Sequence, residues 1–292
     1  MKFQIPPSLI SLMLSVAVFA SFTTVSAAQA APKTSGPPSA AHSGELKGNE
    51  LMFGYTDQTG QKILGLLGDP DKNHPSPKTL TSVIYAPGKQ FGVSYVKHQA
   101  RSSKSNGRQN ANNFINDEGE LFKVKNAANK LSSDASVLLA TKNAFQGHTF
   151  LSLKTVHKGK FSSKTVQAIE KAKNRKVVNH GLVATTASGA EIGLVEFAKG
   201  GGKPLASLVL ADKNLLLFED FIGNNDSQST WRVDDGGEIS AENFGLLFVS
   251  RSKTGYALGV EWYGPEGTNL TVLQQKGSKF RVVTENGRYQ VP

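Results

Sequence analysis

The last quarter of the chain constrains the fold most. Four apolar runs follow one another there: FGLLFVS (244–250), YALGVEWY (256–263), NLTVLQQ (269–275) and KFRVVTE (279–285). Short turns separate them, at Lys253-Thr254-Gly255, Pro265-Glu266-Gly267 and Lys276-Gly277. Runs of this length, bounded by glycine and charged turns, read as strands, and turns this tight pair consecutive strands antiparallel. The pattern predicts a four-strand meander. Along 256–263 a period of two puts Tyr256, Leu258, Val260 and Trp262 on the core face. Ala257, Gly259, Glu261 and Tyr263 fall on the other face, where Glu261 and Tyr263 are candidates to line a carbohydrate groove. A half-buried edge is the plainer alternative for that pair.

A second set precedes the first: HGLVATTA (180–187), AEIGLVEF (190–197), PLASLVLA (204–211) and NLLLFEDF (214–221). Ile192-Gly193-Leu194 stands 66 residues before Leu258-Gly259-Val260, each on the second strand of its set. Segments 180–221 and 244–285 therefore read as a degenerate repeat, with 222–243 as the connection. Further strands are expected at 50–55, 62–67, 81–86, 90–96, 120–125, 136–141 and 148–156. One helix is expected at 163–176, with Ser163 as its N-cap and Val166, Ile169 and Lys173 near one face. The fold class is mainly β, built from antiparallel four-strand meanders. Repeated sheets of this kind suggest a propeller-like ring or a two-sheet sandwich, in a single domain over 49–292.

The N-terminus has the order of a secretory signal. Met1-Lys2 carries one charge, residues 9–20 (LISLMLSVAVFA) are apolar, and Ala28-Gln29-Ala30 supplies small residues before a cut. An apolar stretch this short falls below the roughly 20 residues that span a bilayer. The expectation is a signal peptide over 1–30, cleaved near Ala30, and a secreted or periplasmic protein with no transmembrane segment. Residues 31–48 are rich in Pro, Ser, Gly and Ala and read as a flexible linker. The chain has no cysteine, which excludes disulfides and cysteine-held metals and leaves stability to packing and backbone pairing.

Charge is unevenly spread. Residues 89–180 hold 17 Lys plus Arg against 5 Asp plus Glu, a net of +12, whereas 181–292 hold 10 against 13, a net of −3. Segregation of this kind creates a local potential for counter-charged partners. The run KHQARSSKSNGRQNANN (97–113) contributes Lys97, Arg101, Lys104 and Arg108 to this basic region. Lys158, Lys160, Lys173 and Arg175 extend it, and these eight are the candidate ligand-binding residues. The expected partner is a polyanion or a cell-surface polysaccharide. Few aromatics interleave with the charges, so base stacking and sequence-specific nucleic-acid recognition are not expected. Charge that serves solubility alone is the competing explanation.

Other signals are weaker. Asp69-Pro70-Asp71-Lys72-Asn73 has calcium-loop spacing, but His74 stands where glycine is needed and Leu80 where a bidentate glutamate is needed. The six histidines never fall at metal-binding spacing, and Lys199-Gly200-Gly201-Gly202-Lys203-Pro204 lacks the order of a phosphate loop. No metal or cofactor is expected. No G-x-S-x-G elbow occurs. The catalytic alternative is a polysaccharide hydrolase using the acids of 222–243, with Asp234, Asp235 and Glu238 as candidates in a connection that also holds Asp226, Glu242 and Trp231. Paired carboxylates can take acid and base roles when their surroundings separate their pKa values. A structural protein with no small ligand is the third reading.

Overall fold

The computed structural model describes residues 44–68, 73–199, 202–226, 230–231 and 239–290. The expected signal peptide, the expected catalytic acids Asp234, Asp235 and Glu238, and Asp69–Lys72 of the calcium-like run lie outside the described residues. Six strands form the first unit of architecture: β1 (Leu51–Thr56), β2 (Lys62–Gly65), β3 (Leu80–Tyr85), β4 (Lys89–Gln99), β5 (Gly119–Val124) and β6 (Ser136–Thr141). They close into a barrel in the order β1-β2-β5-β4-β3-β6. Alternation explains the closure. Ile63, Val83, Val93, Phe122, Val137 and Leu139 pack together as one core. Their sequence neighbours Leu64 and Leu138, with Phe53 and Tyr55 of β1, point the other way into a different core. Strands apolar on both faces need cover on both sides, and every residue of β1 is buried.

The remaining strands make one curled ten-stranded sheet. They are β7 (Thr149–Phe150), β8 (Leu153–Thr155), β9 (Val177–Thr186), β10 (Glu191–Phe197), β11 (Leu205–Asp212), β12 (Leu215–Ile222), β13 (Phe244–Ser252), β14 (Gly255–Tyr263), β15 (Gly267–Lys276) and β16 (Lys279–Tyr289). Their order is β7-β13-β14-β15-β16-β12-β11-β10-β9-β8. Both expected meanders are present, each with antiparallel neighbours. They join through β12 and β16, which run parallel and share a single register pair, Phe218 with Lys279. The protein is thus mainly β with meanders and one helix, and the sheets close as a barrel and a curled half-barrel in place of a propeller ring or a flat sandwich.

Three layers hold the curled sheet. Its inner face carries Ile192, Leu194, Leu208, Leu258 and Val260. Outside the first meander lies α1 (Ser163–Lys173), whose Ile169 packs with Phe161, Val195 and Val209. Outside the second meander lies the barrel, where Phe248, Ala257 and Val272 share a core with Phe53 and Tyr55. The two glycines of the recurring sequence signature sit at these crowded outer contacts. A Cβ on Gly193 would stand 2.9 Å from the Phe161 ring, and one on Gly259 would stand 2.6 Å from the Phe248 ring. Each glycine lets a covering layer press directly on the strand backbone.

Two boundaries differ from expectation. The helix ends at Lys173 because Asn174 turns left-handed (φ 49°), and its N-cap is Ser162, whose hydroxyl accepts from Thr165 N at 3.2 Å. Packed structure also begins inside the expected linker. Leu46 is 1 % exposed, and the Gly44 carbonyl accepts from His148 Nε2 at 2.7 Å and Gln274 Nε2 at 2.8 Å. Averaged composition over 31–48 hides this one apolar anchor. Among the described residues no helix is long and apolar enough to cross a membrane.

Arg288 locks the barrel to the last strand. Its guanidinium is 1 % exposed and donates to Asp134 Oδ1 at 2.7 Å, Ser136 Oγ at 2.9 Å and the Gln109 carbonyl at 2.9 Å. It also lies 4.8 Å from the Tyr55 ring centre. Removing one partner of a buried charged network strands the others without solvent. Arg288→Ala is expected to lower unfolding free energy by about 3–5 kcal/mol in denaturant titration. A loss no larger than that of an exposed arginine such as Arg251→Ala would refute the clamp.

Candidate functional site

A wide opening lies at the seam where the curled sheet fails to close. It is a cleft of about 990 Å³. One wall comes from the β8–α1 connection and the start of β9, which supply His157, Lys158, Lys160, Asn179 and His180. The other comes from a short turn at 240–242 and from β13 and β14, which supply Glu242, Gly245, Glu261 and Tyr263. The β3–β4 turn of the barrel, Ala86-Pro87, also lines the cleft, with a cis peptide bond between its two residues.

The basic wall is built by backbone. Lys158 adopts a left-handed conformation (φ 58°), unusual for a side chain other than glycine, asparagine or aspartate. Gly159 follows it, and its carbonyl accepts from Leu182 N at 3.0 Å, which pins the connection onto β9. Lys160 Nζ donates to the His180 carbonyl and reaches Asn179 Oδ1 at 3.4 Å. Lys158 makes no hydrogen bond or ion pair among the described residues. His180 Nδ1 accepts from Phe161 N at 3.3 Å. Burial, and then the neighbouring Lys160 charge, push the His180 pKa below its usual value, so the ring is neutral at neutral pH.

The opposite wall is built by a missing side chain. Gly245 pairs with Glu261 across the β13–β14 ladder. A Cβ at Gly245 would stand 2.8 Å from Tyr263 Oη, so only glycine leaves room for Tyr263 to fold back over its neighbour. The Tyr263 hydroxyl then donates to Glu261 Oε2 at 2.9 Å. Glu261 is 7 % exposed. Burial raises its pKa, and hydrogen bonds from Ser136 and Tyr263, together with the Arg288 charge, pull it partly back. Burial and the Glu261 charge push the Tyr263 phenol up as well, which keeps it protonated. The arrangement places a buried carboxyl bonded by a phenol, the Glu242 carboxyl and two ammonium groups around one cleft.

The eight expected ligand-binding residues divide into three groups. Lys158 and Lys160 line the cleft. Lys173 and Arg175 are engaged inside the fold. Lys173 Nζ binds Asp220 at 2.6 Å and lies 4.3 Å from the Phe218 ring centre, while Arg175 Nε donates to the Ala198 carbonyl at 2.6 Å. Lys97, Arg101, Lys104 and Arg108 belong to β4 and the loop after it. That loop is tied to β16: Gln109 N donates to the Tyr289 carbonyl at 2.8 Å, and Arg108 stacks 3.9 Å from the Tyr289 ring centre. Lys97, Arg101 and Lys104 remain exposed, with Arg101 3.9 Å from Asp117. Of the acidic connection, Glu242 lines the cleft. Glu261 and Tyr263, the groove candidates on β14, meet the two lysines there. Asn179, His180 and Gly245 carry no local signature in the sequence, and only the curl of the sheet brings them to the site. Among the described residues no cluster of three acidic or histidine side chains could hold a metal ion.

The pKa shift at Glu261 carries a sign for stability. A carboxyl raised on folding stabilises the fold below its unfolded pKa, and that contribution disappears as pH rises through the higher folded value. Glu261→Gln abolishes this loss. The variant's melting temperature relative to wild type should therefore climb as pH rises above about 4, where an unfolded glutamate ionises, equivalent to roughly 1.4 kcal/mol per unit of pKa elevation. A difference independent of pH would mean that Ser136, Tyr263 and Arg288 compensate the buried charge fully. No protein-family model, curated protein or solved structure matches this chain.

Proposed function

We propose that the protein is a secreted binding module and that the seam cleft takes an anionic saccharide, a sugar chain bearing carboxylate or sulfate groups. The observation that carries this reading is the pairing, in one cleft of about 990 Å³, of Lys158 and Lys160 with the Tyr263–Glu261 pair. Ammonium groups suit the acid groups of such a chain: Lys158 has three donors to offer, and Lys160 keeps those not given to the His180 carbonyl and Asn179. Sugar hydroxyls need donors and acceptors in alternation, and Asn179, Tyr263 and Glu242 supply both kinds. Pockets of several hundred Å³ are of the size that encloses a short oligosaccharide. The exposed lysines of the 97–113 run add long-range attraction that salt screens.

Calorimetric titration with a heparin-derived tetrasaccharide tests the reading. Lys158→Ser with Lys160→Ser is expected to weaken binding about tenfold or more, the scale of charge-assisted hydrogen bonds. Lys97→Ser with Lys104→Ser should change affinity by about twofold or less at physiological salt. Unchanged binding in the first variant would overturn the assignment of the cleft.

A second reading rests on Glu242 and Glu261 lining the same cleft, with the latter's pKa raised by burial. Two carboxyls in unlike surroundings are what glycoside hydrolysis uses. On this reading wild-type protein releases reducing ends from an acidic polysaccharide, and Glu261→Gln and Glu242→Gln each abolish release while binding persists. Failure of the wild type across a panel of acidic polysaccharides would leave binding alone.

A further inference from the structure

A second cavity lies on the other side of Phe244 from the seam cleft, sharing that residue with it. Beyond the single Phe218–Lys279 pair, the parallel strands β12 and β16 share no register, and the curled sheet splits there. The split opens onto a pocket of about 350 Å³ on the inner face of the curl. Three aromatic side chains gather in it. Phe244 stacks on Trp262 with centroids 5.3 Å apart, and Phe221 lies 4.9 Å from Trp262 and 5.7 Å from Phe244. Trp262 and Phe221 are only half-buried, so ring surface remains open to the pocket.

Glu219 enters the same space. It lies two residues before Phe221, so strand alternation turns both side chains to the inner face. Its neighbour Asp220 faces the other side and is bound by Lys173 at 2.6 Å and Ser207 at 2.6 Å. Glu219 itself has no hydrogen bond or ion pair among the described residues. Glu285 also lines the pocket, and among the described residues no lysine, arginine or histidine does. Burial raises the Glu219 pKa, and the Asp220 charge adds to that rise. A half-buried carboxyl without a donor, beside open aromatic rings, lacks a counter-charge that a ligand would supply.

We propose that this pocket binds an organic ammonium group, held against the Trp262 and Phe221 rings and neutralised by the Glu219 carboxylate. Aromatic faces attract cations through the ring quadrupole, most strongly for tryptophan. The Glu219 carboxylate gives the pocket a negative group, opposite in sign to the lysine-bearing wall of the seam cleft. Its volume suits a trimethylammonium-sized head with a short arm. The inference does not rest on the saccharide reading: Glu219, Phe221 and Trp262 line this pocket and not the seam cleft, Phe244 is shared by both, and the ligand has the opposite charge.

Choline and its uncharged carbon isostere, 3,3-dimethylbutan-1-ol, are the probes. The chain has two tryptophans, so Trp231→Phe leaves Trp262 fluorescence as the readout. Choline is expected to change that fluorescence saturably, and the isostere to bind at least about tenfold more weakly. Glu219→Gln in the same background should cost choline about tenfold or more in affinity. It should leave the melting temperature no lower, since it removes a half-buried charge. Equal binding of the isostere, unchanged affinity in Glu219→Gln, no response to choline, or a response to neutral methyl glycosides in its place would each overturn the proposal.

Discussion

The structure depends on one buried cation. Arg288 lies near the end of the last strand, yet its guanidinium reaches the start of β6 and the loop after β4. A charge in that position is tolerable only because its donors all point at oxygen. Asp134 is held left-handed (φ 55°) and offers both its carboxylate and its carbonyl to the same guanidinium. Gln109 contributes its carbonyl twice. The clamp therefore fixes the barrel, the asparagine-rich loop and the curled sheet against one another, where apolar contact alone would allow sliding. The cleft inherits this rigidity. Ser136 bonds Arg288 on one side, and both Ser136 and Arg288 act on Glu261 at the cleft wall.

Both cavities arise from incomplete closure. The six-strand barrel closes fully and its lumen is filled by side chains. The ten-stranded sheet is too long to remain flat, because strand twist accumulates, and it curls without sealing. One opening lies at the seam lined by β9 and β13, the other where β12 and β16 part after one register pair. Sheet edges and splits leave backbone and inner-face side chains accessible, and polar groups concentrate there. The seam carries lysine and histidine, the split carries glutamate and tryptophan. The seam also carries Glu242 and Glu261, so it combines both signs of charge, whereas no cation among the described residues lines the split.

The charge pattern of the sequence is real, and folding divides it. Of the excess cations in the middle third, Lys173 binds a carboxylate of the last third, Arg175 satisfies backbone carbonyls, and Arg108 stacks on a tyrosine. Cations recruited in this way stabilise local structure, and the Lys173 charge is offset by Asp220. Lys158 and Lys160 are set apart by a left-handed turn that lifts them to a cleft. Net charge by segment cannot separate these fates, since the partners sit far along the chain.

The legible part of the sequence was local. Period-two alternation on β14 assigned Tyr256, Leu258, Val260 and Trp262 to the core, and they pack on the inner face. Turn residues marked nearly every hairpin, and one helix was evident from its spacing. The same alternation applied to LLLFEDF would have flagged Glu219 as an acid on an apolar face, a signal that composition and motif searches pass over. The inventory of strands, their pairing within each meander, and the outward or inward side of each residue can be read along the chain, because these follow from turns and backbone geometry over a few residues. Barrel closure, the placing of Lys158 and Glu261 on one cleft, and the burial of Arg288 came from the folded chain alone. Those depend on contacts between residues from several tens to more than a hundred positions apart, whose free energy no local pattern encodes.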